Sequence, residues 1–199
     1  MDNVEVFNDN IRIEGSYTMT VYPSGLDFDL INPKMDQILI TDIAHHLGNV
    51  CRYNGACDPF YSVAQHSVIV SKMVPEEFAF DGLMHDAAEA YLGDIISPFK
   101  RLLKKSEFFT AIKNRVERAV AIKFECSYPE PAIVKKADTM IRAIEARQLA
   151  NIDPKKWGLE EVAGSAINPL GCKESRELFL ARFYELTTME PEEFCNGRP

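Results

Sequence analysis

Gly82-Leu83-Met84-His85-Asp86-Ala87-Ala88-Glu89-Ala90-Tyr91-Leu92-Gly93-Asp94 decides how this chain is read. It predicts the main part of a helix running from about Glu76 to Leu92. Gly93 stops that helix, because glycine readily takes the left-handed conformation of a helix end. The helix is patterned for burial, yet His85 and Asp86 fall in its middle. An ionised aspartate there is costly unless something pairs with it. A divalent cation is the natural partner: imidazole nitrogens and carboxylate oxygens suit zinc, manganese, iron or cobalt.

The same anomaly recurs on either side. Val63, His66, Val70 and Met73 repeat at i, i+3, i+7 and i+10, so His66 shares a helical face with apolar residues. Asp138 follows Val134 and Ala137 and precedes Ile141 and Ile144 on another largely apolar face. A bland reading stands beside this one. A lone buried histidine is more often a hydrogen-bonded core residue. On pattern alone, a metal site and a set of packed core residues both stay open.

Outward from these helices, the period of the pattern changes once. Tyr17, Met19 and Val21 alternate with threonines, and Leu26, Phe28 and Leu30 alternate with aspartates, around Pro23-Ser24-Gly25. That predicts a β-hairpin within an N-terminal extension, residues 1–35, which must lean on a larger body because two strands alone are marginal. From Asp36 the period is helical. Ile40, Ile43, Leu47 and Val50 share a face, with Thr41 or Asp42 as the expected N-cap. Pro98 suits the first turn of a helix carrying Lys100, Arg101, Lys104 and Lys105. Residues 106–124 and 130–150 read as two longer helices broken at Tyr128-Pro129-Glu130-Pro131. Residues 151–172 read as a loop-rich excursion. Residues 173–187 form a last helix with Phe179, Phe183 and Leu186 inward. The expected fold is all-α: a helical bundle over 36–190, the hairpin before it, and a flexible tail at 191–199.

Composition narrows the function. With 22 lysines and arginines against 30 aspartates and glutamates, the net charge is −8. A duplex-binding surface needs many cations against phosphates, so polymeric nucleic acid is not an expected partner. A small anionic ligand needs only a few local cations. No apolar run reaches the roughly 18–20 residues that span a bilayer. The acidic, mixed N-terminus is no secretory signal. No membrane association is expected, and the cytoplasm is the expected location (a host's, if the gene is a phage's). Five cysteines, an odd number without a C-x-x-C pair, argue for reduced thiols.

Beyond these patterns, the chain resembles a known family. The order His66, His85-Asp86, Asp138 is similar to the signature of the HD-domain phosphohydrolase superfamily. The likeness extends through Cys51-Arg52-Tyr53-Asn54-Gly55, Phe60-Tyr61-Ser62-Val63-Ala64-Gln65-His66-Ser67, His85 to Asp94, Ser97-Pro98-Phe99-Lys100, Lys136-Ala137-Asp138 and Glu145-Ala146-Arg147. It covers about residues 36–150. The branch it resembles holds the YfbR-like 5′-deoxynucleotidases and the DatZ-like phage dATP triphosphohydrolases. Other branches fit less well. The Gly-Tyr-Pro extension of cyclic-dinucleotide phosphodiesterases is absent, and Glu89-Ala90 stands where alarmone hydrolases carry Glu-Asp.

The resemblance implies an HD-domain helical bundle with His66, His85, Asp86 and Asp138 as metal ligands. The implied cofactor is one divalent transition metal (zinc, cobalt or manganese), with a second divalent ion accompanying the substrate phosphates. Glu89 resembles the family's acid–base residue, and Asp94 the carboxylate that positions water. Arg52 resembles the phosphate-contacting arginine, and Tyr53 stands where relatives carry Trp or Phe. Lys100 is expected to hold a phosphate tail. The expected activity is hydrolysis of a nucleotide substrate, dATP to deoxyadenosine plus triphosphate first. The alternatives are a 5′-deoxynucleotidase acting on monophosphates and, from another class, a non-catalytic nucleotide-binding module. A homo-oligomer, dimer or hexamer, is also expected. Of the remaining residues, His45 and His46 are read as packing groups, and Glu145 and Arg147 as surface ion pairs.

Overall fold

A computed structural model describes residue 15 and residues 17–187. The expected tail at 191–199 and the first fourteen residues of the N-terminal extension lie outside the described residues.

The hairpin forms where the period-two pattern placed it. Strands β1 (Thr18–Thr20) and β2 (Asp27–Asp29) pair antiparallel, with Met19 opposite Phe28. Val21 and Phe28 are buried, while Tyr17 and Leu26 of the same alternation are exposed. Phe28 stacks on Tyr91 at 3.8 Å between ring centroids. Across the turn, Ser24 donates from its backbone N–H to Asp42 Oδ1 (2.9 Å) and from its hydroxyl to Oδ2 (2.7 Å). The hairpin therefore does lean on the helical body.

That body comprises α1 (Ile40–Asn49), α2 (Val63–Met73), α3 (Ala79–Met84), α4 (Glu89–Leu92), α5 (Ser97–Leu103), α6 (Glu107–Phe124), α7 (Ala132–Gln148) and α8 (Cys172–Leu186). Two expectations need correction. Helix α1 begins at Ile40, not after a Thr41 or Asp42 cap, and Leu39 takes the N-cap position without a side-chain bond. Asp42 is buried inside the first turn because its carboxylate is engaged by Ser24. A first-turn acid also suits the positive end of the helix dipole.

The single helix expected over 76–92 is interrupted. A 3-10 turn at Glu76–Phe78 leads into α3, and His85–Ala88 separate α3 from α4. At the junction, Ala87 N–H bonds Met84 O (2.9 Å) and Glu89 N–H bonds Asp86 O (2.9 Å), the tighter i to i+3 winding. The Gly82 carbonyl is engaged by the His85 ring. Gly93, at φ +76°, ends α4 as its sequence position implied.

Helix α2 is the central strut, packed against α3, α7 and α8. Ser62 caps it by accepting from Gln65 N–H. Gly82 lets α3 approach closely: a Cβ there would meet the Ser71 backbone at 3.0 Å. On the other side, Val70 packs with Val134, Ala137, Ile141 and Ile144 of α7. The excursion at 151–171 is held over this seam by Gln65, whose amide donates to Asn168 O (2.8 Å) and accepts from Leu170 N–H (2.9 Å). Phe179 and Phe183 of α8 fill the main core as expected, and Leu186 is partly buried. Among the described residues, no helix is long and apolar enough to cross a membrane.

Candidate metal centre

Three separate elements converge on one point. His66 comes from the first turn of α2, His85 and Asp86 from the junction between α3 and α4, and Asp138 from α7. His66, His85 and Asp138 each offer a ligand atom, and these atoms all lie within 4.8 Å of one another. This group could hold a metal ion. Asp86 adjoins it, with Oδ2 3.1 Å from His85 Nε2 and 3.7 Å from His66 Nε2. Asp138 Oδ1 lies 3.3 Å from His66 Nε2.

The hydrogen bonds settle which nitrogen of each ring faces the centre. His66 Nδ1 donates to Glu145 Oε1 at 2.7 Å, and His85 Nδ1 donates to the Gly82 carbonyl at 2.8 Å. Carboxylate and carbonyl oxygens only accept, so both Nδ1 atoms carry hydrogen. Both Nε2 atoms are buried and make no hydrogen bond. In the neutral rings these are the lone pairs, and they point into the same space. A second acceptor fixing the far ring nitrogen is the arrangement that prepares a histidine for a metal. The donor set of two imidazoles and one or two carboxylates therefore fits a divalent cation.

The charge balance points the same way. Burial lowers the pKa of a histidine, but at His85 the Asp86 carboxylate outweighs it and raises the ring to about 9. His66 is also raised, Glu145 and Asp138 together overcoming burial and the repulsion of Arg52. Against the effect of burial, His85 holds Asp86 well below the usual carboxylate range, and His66 lowers Asp138. The centre thus attracts positive charge, and a metal binding there would compete with protons.

Arg52 and Tyr53 enter from a 3-10 turn after α1. Tyr53 and Asn54 both have left-handed backbone, at φ 56° and 55°, which is unusual for residues with side chains. This turn aims two successive side chains at one carboxylate. The Tyr53 hydroxyl donates to Glu145 Oε2, and Arg52 Nη2 lies 3.7 Å from that oxygen. Arg52 is buried among four carboxylates, with Asp86 at 3.5 Å, Asp94 at 3.7 Å and Asp138 at 3.9 Å completing the set.

Glu145 is the residue that the sequence reading misjudged. It is fully buried, not a surface ion pair, and Tyr61 donates to its Oε1 at 2.8 Å. Its carboxyl is lowered to about 2, because His66 and Arg52 outweigh the effect of burial. A signal was present: Glu145 stands seven residues, two helical turns, after Asp138 on the same α7 face. Arg147 does make the expected surface pair, with Glu161.

Glu89 and Lys100 wall the cleft beside His85 and Asp86, with Phe109, Lys113 and Glu117 of α6 opposite. Burial, reinforced by Asp86 and Asp94, holds the Glu89 carboxyl well above the usual carboxylate range, and its Oε2 has no hydrogen-bond partner. Lys100 Nζ lies 3.8 Å from Glu89 Oε1. Lys104 and Lys105 follow α5 as exposed residues. Neither His45 nor His46 joins the centre. His45 packs on Tyr22, and His46 donates from Nδ1 to Ala90 O (2.8 Å) while accepting from Tyr22 N–H.

Fold and site together define a mainly helical protein with a buried histidine–carboxylate centre that could hold a metal ion. No protein-family model matches the chain. It is 37% identical over 166 residues to the uncharacterized protein YfdR of Escherichia coli (strain K12), covering 81% of this chain and 90% of YfdR. It is 34% identical over 183 residues to the uncharacterized protein RCAP_rcc00048 of Rhodobacter capsulatus, covering 82% and 92%. The chain belongs to the family of YfdR and RCAP_rcc00048.

Proposed function

We propose that this chain is an HD-domain, metal-dependent phosphohydrolase acting on deoxynucleoside 5′-phosphates, with dATP favoured and deoxyadenosine plus triphosphate as products. One observation carries the reading. Two buried histidines have their Nδ1 hydrogens committed, and their Nε2 atoms, which make no hydrogen bond, turn toward Asp138 and Asp86 beside a buried carboxyl, Glu89.

His66, His85, Asp86 and Asp138 would hold a zinc, cobalt or manganese ion, and a second divalent ion would come with the substrate phosphates. Such an ion supplies Lewis acidity toward a phosphoryl oxygen and lowers the pKa of water. The chain's own groups do the rest. Glu89, whose carboxyl is held well above the usual carboxylate range by burial and by Asp86 and Asp94, is the group that gives a proton to the departing 5′-oxygen of the nucleoside. Asp94 orients the attacking water. Arg52, a planar fork of donors, grips a phosphate. Lys100 neutralises the β- and γ-phosphates.

The second reading is a 5′-deoxynucleotidase that releases phosphate from deoxynucleoside monophosphates. It is favoured by the 3.8 Å approach of Lys100 to Glu89, beside the proton donor and not beyond it. A panel of nucleotides with added manganese or cobalt, scored for phosphate, pyrophosphate and triphosphate release, tests both. The proposal expects triphosphate from dATP, and a Lys100→Ala variant that loses far more activity on dATP than on dAMP. Equal losses select the monophosphatase. Release of dAMP and pyrophosphate, or no turnover at all, overturns the proposal.

A further inference from the structure

The chain's only tryptophan stands beside this centre, and none of the roles above uses it. Trp157 closes the 3-10 turn Pro154–Trp157, which Asp153 caps by accepting from Lys155 N–H and Gly158 ends at φ 71°. The segment before the turn is tied back to the end of α7: Ile152 N–H donates to Ala146 O at 2.8 Å. The indole is thereby brought to 5.0 Å from the Tyr53 ring, inclined at 36°.

The two rings differ in freedom and exposure. Tyr53 is fixed, its hydroxyl on the buried Glu145 and its ring 5.2 Å from the Arg52 guanidinium carbon. Trp157 remains 38% exposed. The exposed part of a large apolar ring gains nothing for the fold by facing water. Here it does so next to a locked aromatic, one residue from the arginine that would hold a phosphate. Aromatic faces of this kind bind nucleobases by stacking, with little regard for which base is present.

We propose that Trp157, backed by Tyr53, is the platform on which the nucleobase of the substrate stacks while Arg52 holds its phosphate. This rests on the phosphohydrolase reading and deepens it. The platform selects for possession of a base, so it separates nucleotides from simple sugar phosphates, and the larger area of a purine favours purines over pyrimidines. The fine choice of base falls to other contacts.

The single tryptophan makes the test direct. The manganese-loaded protein is titrated with dAMP, deoxyadenosine and deoxyribose 5-phosphate while tryptophan fluorescence is followed. Hydrolysis of the two phosphates is then measured in the wild type, Trp157→Ala and Trp157→Phe. dAMP and deoxyadenosine should quench saturably and deoxyribose 5-phosphate should not. Trp157→Ala should raise KM for dAMP roughly tenfold more than KM for deoxyribose 5-phosphate, the scale of one lost stacking contact. Trp157→Phe should recover most of that loss. Equal KM shifts on both substrates, or calorimetric binding of dAMP without a fluorescence change, would overturn the platform while leaving the hydrolase reading standing. If neither phosphate is hydrolysed, dATP is assayed in their place, and only its failure to turn over as well defeats the hydrolase reading. The deoxyadenosine titration then decides the platform alone, upheld by a saturable quench and overturned by none.

Discussion

Replacing Glu145 with glutamine strikes the internal brace of the centre without changing its volume. The carboxylate accepts from His66 Nδ1 at 2.7 Å, from Tyr61 at 2.8 Å and from Tyr53, and it faces Arg52 at 3.7 Å. The amide oxygen of glutamine can still serve His66 and Tyr61. Its NH2 group, however, turns donors toward Tyr53 and Arg52 and removes the negative charge that balances a buried guanidinium. Hydrogen bonds to charged groups contribute about 1.5–3 kcal/mol each, so losing one bond and weakening the others should cost about 3 kcal/mol. At about 2–4 °C per kcal/mol for a domain of this size, Tm should fall by about 6–12 °C. Metal affinity should fall roughly 10–100-fold, because a neutral amide oxygen holds the His66 Nδ1–H less firmly than the carboxylate and leaves Nε2 a weaker donor to a metal. Thermal unfolding in EDTA and a competitive metal titration read the two effects separately. A Tm within about 2 °C of wild type together with unchanged metal affinity would refute the reasoning.

Two further perturbations test parts of the fold that frame the site. Asp42→Ala removes both acceptors from the hairpin turn at Ser24 and should cost about 2 kcal/mol; amide exchange at Val21 and Gly25 should speed up while α2 amides stay protected, and unchanged exchange at the turn would count against the docking role. Burial, helped by Asp81, lifts the Cys126 thiol to about 12, so at pH 8 it is almost wholly protonated and should resist iodoacetamide while exposed Cys172 reacts; peptide mass spectrometry showing equal labelling would contradict that.

Much of the arrangement was legible because it rests on local pattern. Periodicity located α2, α6, α7 and α8 and the hairpin, and the cost of burying charge singled out Asp86 and Asp138. What escaped notice depends on tertiary contacts. Asp42 looked like an N-cap, but its carboxylate is taken by Ser24, eighteen residues upstream. The helix over 76–92 read as continuous because Met84, Ala87 and Ala88 all suit a helix, yet its hydrogen bonds tighten at His85–Ala88, where the site needs two successive side chains aimed inward. Glu145 looked like a surface acid because glutamate is seldom fully buried. Its spacing from Asp138 put it on the inward face of α7, but the partners that make its burial tolerable come from α2 and from the loop before it. The left-handed turn that aims Arg52 and Tyr53 was only half legible: Asn54-Gly55 is a turn signal, but Tyr53, at φ 56°, stands before it and tyrosine seldom bears that conformation.

The proposed activity depends on a divalent metal held by His66, His85, Asp86 and Asp138. Elemental analysis of the protein purified without chelator, beside Asp138→Ala, tests it most directly. One tightly held divalent ion per chain is expected in the wild type and almost none in Asp138→Ala, with the variant still folded. A wild-type protein that retains no divalent metal when supplied with zinc, manganese and cobalt, or an Asp138→Ala variant that stays fully loaded, would contradict it.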